Sequence, residues 1–224
     1  MATDLASLLL TVLPFALASM VSPLAAITVM TVISTTKRRA LKAVLFAITY
    51  ATIFSAICLL LVAVGSTATI GGKPSSVTAG IDVVLGVILL YVAGRSLSKG
   101  MGTLLVRSFD PDAMSFVAVV SMGGLFSASN VSSLIPALAA AKDIGVAAVP
   151  PLDKEIAFAF LLAIALSWVW APVALYLATP NNFDRLFDPV IRFLRRRGGQ
   201  MMAVVFFLIG LYLVIRGGAS FVAL

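Results

Sequence analysis

The sequence predicts an all-α integral membrane protein: six transmembrane helices in two inverted three-helix repeats. Three observations carry that expectation. The chain of 224 residues is 61% hydrophobic and only 11% charged, with mean hydropathy +1.13, whereas a soluble domain is about a quarter charged. Six apolar stretches, about 5–34, 43–65, 78–97, 114–141, 156–178 and 201–221, reach the roughly 20 residues needed to cross ~30 Å of hydrocarbon. The basic residues gather in alternate loops, as the orientation of a polytopic protein requires.

Span one begins in "MATDLAS", with an aspartate and no basic residue. "ALA" at 16–18 resembles a signal-peptide cleavage site, but the apolar run continues to about Ile33, so the segment reads as a retained span. Its middle, "SMVSPLAAITV" (19–29), carries Ser19, Ser22 and Pro23. A proline there removes a backbone hydrogen bond, and hydrocarbon offers nothing in exchange. Span two shows small residues every fourth position, Ala43, Ala47, Ala51 and Ser55, a face that lets helices approach. Span three carries Asp82 a turn inside its outer end, which reads as interfacial, with a gating or headgroup contact as the functional alternative. Arg95 ends that span and reads as snorkelling to headgroups.

Span four holds "FSASNVSSLIP" (126–136), with Ser127, Ser129, Asn130, Ser132 and Ser133 near its middle. Span five repeats the small-residue spacing at Ala159, Ala163, Ser167 and Ala171, and "SWVWAP" (167–172) puts a break and two indoles in it. The segment "FDPVIRFLRRRGG" (187–199) reads as a short interfacial helix, its arginines facing anionic lipid. Span six ends at Arg216, which reads like Arg95.

Orientation follows from the charges. Lys37, Arg38, Arg39 and Lys42 fall in loop one, Arg95, Lys99 and Arg107 in loop three, and Arg185, Arg192, Arg195, Arg196 and Arg197 in loop five; these are twelve of the sixteen basic residues. Lys73, Lys142, Lys154 and Arg216 fall on the opposite side. Loops one, three and five are therefore expected in the cytoplasm and both termini outside.

An internal duplication supports the repeats. "VVLGVILLYVAGR" (83–95) and "VVFFLIGLYLVIR" (204–216) align without a gap through Val-Val, Leu-Tyr and the terminal arginine. The repeats are expected at 1–105 and 106–224, within one membrane domain. Pro23 and Asn130 fall at similar depth in corresponding spans, and paired interruptions of this kind point to a transporter's binding site. Ser19, Ser22, Pro23, Ser127, Ser129, Asn130 and Ser133 are the candidate substrate-binding residues, and Asp82, Arg95 and Arg216 the candidate gating or headgroup contacts. The alternative is structural: serine back-bonding and a proline kink can serve packing alone.

Several functions are disfavoured. One cysteine, Cys58, and no histidine exclude a Cys-pair redox carrier and argue against a soft-metal site. "GGKPSS" (71–76) lacks the serine or threonine after lysine that a phosphate-binding loop needs. No cofactor, metal or catalytic residue is expected, and no surface suits nucleic acid.

The motifs "MVSPLAAITVMTVIST" in span one and "ASNVSSLIPALAAAKDIG" in span four, in a three-plus-three arrangement, resemble the LysE superfamily. Within it the chain is similar to the actinobacterial glycolipid-addressing proteins, the Sap/Gap group. The resemblance covers essentially the whole chain. It implies a bacterial plasma-membrane protein that helps move a cell-envelope glycolipid outward. The candidate partners are membrane lipids, a large lipid exporter and a second copy of the chain. Amino-acid exporters of the superfamily carry a Gly-Pro type motif in span one; here Ser22 precedes Pro23, which argues against amino-acid export. The competing functions are a LysE-type secondary exporter of a small solute, an amino acid or cation, and a non-transporting scaffold for a lipid exporter.

Overall fold

The computed structural model describes residues 4–20, 23–35, 38–67, 76–98, 115–180 and 183–222, and the regular structure among them is helical throughout. In chain order the helices are α1 (Leu5–Met20), α2 (Pro23–Thr35), α3 (Arg39–Thr67), α4 (Ser76–Ser98), α5 (Phe116–Ser129), α6 (Val131–Val146), α7 (Pro151–Ala165), α8 (Ser167–Ala178) and α9 (Phe183–Val222). Asp4 starts α1 by accepting the Ser7 N–H on Oδ1 at 2.7 Å, which supplies one of the helix's orphan donors with an acceptor. That same bond holds the Asp4 carboxyl below its ordinary pKa. Pro23 opens α2, where its missing N–H costs no helical bond. Ser22 and the Pro23 side chain lie outside the described residues.

Among the described residues three helices are long and apolar enough to cross a membrane: α3 over Ala40–Thr67, α4 over Ser76–Ser96 and α9 over Arg197–Val222. Two further pairs qualify jointly, α5 with α6 bent by 62° and α7 with α8 bent by 61°. The proline chemistry of the two bends is alike. Pro136 lies six residues after the linking Asn130, and Pro172 six after Leu166. Neither proline can donate to the carbonyl four residues back, so each leaves the first turn after its bend short of one bond. Asn130 sits at φ −77°, ψ 68°, outside the helical region. At the second bend Ser167 Oγ donates to the Ile164 carbonyl at 2.7 Å, giving that carbonyl a partner where the helix turns away.

Elements differ from expectation in three places. The segment 187–199 is no separate helix but the beginning of α9. Gly198 and Gly199 do not end it; a Cβ on Gly199 would stand 3.5 Å from the Ser96 carbonyl oxygen of α4, an ordinary contact distance. The small residues of span five also differ. Ala43 and Ala47 of α3 are fully buried, but Ala159, Ala163 and Ala171 are exposed. The inner face of α7 and α8 is instead Ala157, Leu161, Ala165, Val169 and Val173, a four-residue series that continues across the bend and is offset by two positions from the small residues. Lys142 is the third: α6 runs on to Val146 and carries it into the interior rather than into a loop.

The most extensive helix contact among the described residues is between α4 and α9. A Cβ on Gly86 would lie 2.8 Å from the Gly210 carbonyl oxygen, and one on Gly210 would lie 2.9 Å from that of Gly86. Only two facing glycines permit backbones to meet so nearly. Along α3, Phe46, Tyr50 and Phe54 stack with centroids 6.1 and 6.0 Å apart and form the central wall of the core. The outer surface is apolar: Leu10, Leu60, Val117 and Leu125 are each about 70% exposed. Apolar exposure this extensive needs a membrane around it, and the chain is a membrane protein. The N-terminal ends of α1 and α4 and the C-terminal ends of α6 and α9 meet at one end of the bundle, around a shared cavity.

Candidate functional site

Two polar groupings interrupt the apolar interior. The first is at the Asn130 bend. Ser19 Oγ donates to the Ser133 carbonyl at 2.7 Å, and Ser133 Oγ donates back to the Ser19 carbonyl at 2.8 Å. Asn130 Nδ2 donates to Tyr50 Oη at 2.9 Å, and Ser132 Oγ donates to Asn130 Oδ1 at 2.7 Å. The group fastens α1, α3 and α6 together at the point where the helix turns. Buried hydroxyls and amides must be paired in this way in an apolar interior. Ser127 is buried with its Oγ unpartnered, and Ser129 is exposed with its hydroxyl bonded to the Leu125 carbonyl at 2.6 Å.

The second grouping is charged. Asp82 of α4, Lys142 and Asp143 of α6, and Arg216 of α9 form one cluster. Lys142 Nζ binds Asp82 Oδ1 and stands 3.1 Å from Asp143 Oδ1. Arg216 holds Asp143 in a fork, Nη1 to Oδ2 at 2.7 Å and Nη2 to Oδ1 at 2.8 Å. Its Nε lies 3.7 Å from Asp82 Oδ2. Adjacent residues on a helix point in different directions, so Lys142 reaches α4 while Asp143 reaches α9. Two positive and two negative charges balance, which removes the prohibitive cost of an unpaired charge in apolar surroundings. The side chains of Asp82, Lys142 and Asp143 are almost fully enclosed; that of Arg216 is 32% exposed.

A cavity of about 460 Å³ adjoins the cluster. Its walls add Ser7 and Thr11 from α1, Thr78 from α4, and Tyr212 and Ser220 from α9. Ser7 and Thr11 donate their hydroxyl protons to carbonyls of their own helix, at 3.0 and 2.8 Å, and Ser220 does the same to Arg216 at 2.9 Å. Their oxygens keep acceptor lone pairs. The volume lies in the ~300–1,000 Å³ range of ligand sites. Among the described residues no three His, Cys, Asp or Glu side chains gather to hold a metal ion.

The structure brings Ser19, Asn130 and Ser133 into one hydrogen-bonded group and puts Asp82 and Arg216 into another. Asp82 is buried rather than interfacial, and Arg216 turns inward to Asp143 rather than out to headgroups, because the charges that compensate them lie inside. Arg95, which the sequence match pairs with it, is exposed, with Nη1 donating to Tyr91 Oη at 3.2 Å. Sequence reasoning missed Tyr50, Lys142 and Asp143 as members of these groups. The available signal was Asp82 itself: a carboxylate at that depth needs a cation, and Lys142-Asp143 end a run of small helix-forming residues.

The family model described as "Sap, sulfolipid-1-addressing protein" matches residues 12–219. No curated protein and no solved structure matches the chain.

Proposed function

The chain belongs to the Sap, sulfolipid-1-addressing protein family, and from that premise we propose that it takes part in moving a polar-headed envelope lipid outward across the bacterial plasma membrane, directly or beside a larger lipid exporter. It acts without catalysis. The observation that carries the reading is the polar cavity of about 460 Å³ set into an apolar helical body. An acyl tail needs no such site, since the bilayer already solvates it; a sugar head does.

In this reading α1 with α2, α3, α4, α5 with α6, α7 with α8, and α9 make six spans in two inverted repeats. Both termini and the cavity lie on the outer side, and the arginine-rich start of α9 lies at the cytoplasmic face. The meeting of four alternate helix ends around one cavity supports that alternation. The Ser19–Asn130–Ser133 group, at the bend of the path, offers hydroxyls and an amide to a passing head once its internal bonds open. The small-solute reading gains one favourable feature, two carboxylates in a single buried cluster.

The experiment is a deletion followed by surface-extractable against total lipid. Loss of one glycolipid from the surface, with that lipid or its precursor retained inside, is the expected result. Unchanged partition, together with uptake or efflux of one amino acid or cation by protein in liposomes, would put the small-solute exporter in its place.

A further inference from the structure

We infer that α4 and α9 form a two-helix arm that swings as one piece, and that the four-charge cluster is the latch closing it against α6: when the latch opens, the cavity between arm and body widens. The inference goes beyond the lipid reading and holds whatever the cavity receives. Glycines mark the two bodies. Within the arm, the Gly86–Gly210 contact continues at Gly217, where a Cβ would lie 2.9 Å from the Ala79 carbonyl oxygen. Within the body, a Cβ on Gly123 of α5 would lie 2.9 Å from the Phe46 carbonyl oxygen of α3, and one on Gly65 of α3 would lie 2.9 Å from the Lys142 carbonyl oxygen of α6. Backbones this close interlock and resist sliding. Ser19 and Ser133 add α1 to the same body through their exchanged bonds. Among the described residues, every such glycine contact falls inside the arm or inside the body, and none crosses between them.

The charge cluster does cross. Asp82 of the arm meets Lys142 of the body, and Arg216 of the arm holds Asp143 of the body. The rings of Phe15 and Tyr212, 6.2 Å between centroids, link α1 to α9 with no directional bond to break. The cavity lies on the same boundary, with walls from α1 and α6 on one side and from α4 and α9 on the other. The cluster is also built to open. Arg216 Nε stands 3.7 Å from Asp82 Oδ2 inside the arm, and Lys142 Nζ stands 3.1 Å from Asp143 Oδ1 inside the body. Parting the two halves therefore leaves each with one cation beside one carboxylate, so that no charge is stranded. A fixed staple needs only the crossing pairs; the pairs within each half matter when it opens. Rotation of rigid bodies about an interface whose ion pairs rearrange is an established switching geometry.

The test uses the purified full chain in phosphatidylcholine nanodiscs, in a Cys58→Ser background, with distances between spin labels read by pulsed dipolar spectroscopy. Ser66→Cys with Val222→Cys spans body and arm, and Val77→Cys with Val222→Cys lies within the arm; these positions are exposed. Asp143→Asn with Arg216→Gln removes one crossing pair and keeps the net charge. It should add a second, longer distance between 66 and 222 and leave that between 77 and 222 unchanged. Thr11→Cys, in the cavity wall, should then react with a bulky maleimide about tenfold faster, the effect of losing one charge-assisted pair. Asp82→Leu with Lys142→Met should do the same through the other crossing pair. An unchanged distance between 66 and 222 in both variants overturns the latch, and so does loss of folding in both, which makes the cluster a fixed staple. A distance between 77 and 222 that changes along with the first overturns the arm. Loss of surface glycolipid on deletion, with fixed distances in the variants, retires the latch alone. Unchanged lipid partition on deletion, with the distances as expected, retires the lipid role and leaves the latch standing.

Discussion

Lys142 contacts two carboxylates in the interior, and its removal leaves Asp82 with only the Arg216 Nε at 3.7 Å. Lys142→Met should therefore lower stability by about 3–5 kcal/mol, the cost of stranding a buried charge. Asp82→Leu together with Lys142→Met should recover most of that loss, because no charge is then left unpaired. Thermal unfolding in detergent reads both. Asn130 behaves differently from its sequence-based description. A polar side chain at lipid depth suggests that leucine would be tolerated there, but Asn130 donates to Tyr50 and accepts from Ser132. Asn130→Leu takes a bond from two buried hydroxyls and should cost about 1–3 kcal/mol for each left without a partner, with lower protein level as its readout. Asp82 and Asn130 were legible as special positions, since polar groups in apolar runs stand out. Their partners were not. Tyr50 looks like any aromatic of a span, and Lys142-Asp143 looks like a loop because charges are so rarely placed inside.

Helices were legible where apolar runs are continuous, as in α3 and α4, and the break in span four showed through its serines and Asn130. The break in span five showed at 167–172 through Pro172, and the structure bends beside it, at Leu166, six residues before the proline itself. The continuity of α9 was not legible: 187–199 read as a separate interfacial helix, whereas it runs unbroken into the last span. Close backbone packing between α4 and α9 yields a sharp expectation. Gly86→Leu pushes side-chain atoms into a space where even a Cβ would be 2.8 Å from the Gly210 carbonyl oxygen. It should destabilise by about 1–3 kcal/mol through overpacking, whereas Gly94→Ala, with nothing within 4 Å, should be nearly neutral. Because α9 carries Arg216, the first variant should also disturb the cavity and the second should not.

At the scale of the molecule, the proposed orientation, with both termini outside, predicts a labelling pattern. In a Cys58→Ser background, Ser66→Cys and Ser220→Cys should react with an impermeant thiol reagent in whole cells, and Arg196→Cys should not. Lys142→Cys should be protected as well, since position 142 is enclosed at 1% exposure. Labelling at 196 with protection at 66 and 220 would reverse the orientation. The sequence match through Leu-Tyr-x-x-x-Arg pairs two arginines whose surroundings differ: Arg95 is exposed beside Tyr91, and Arg216 is tied to Asp143. A repeat predicts position and leaves the neighbour undetermined. The central claim is that the polar cavity receives the lipid head, and Thr11→Trp tests it most directly. Thr11 lines the cavity and bonds only within its own helix, so an indole there fills the space and leaves all four charges in place. In cells carrying only that variant, at normal protein level and with unchanged thermal unfolding, surface glycolipid should fall to the level of the deletion. Full surface glycolipid with the cavity filled would contradict the account.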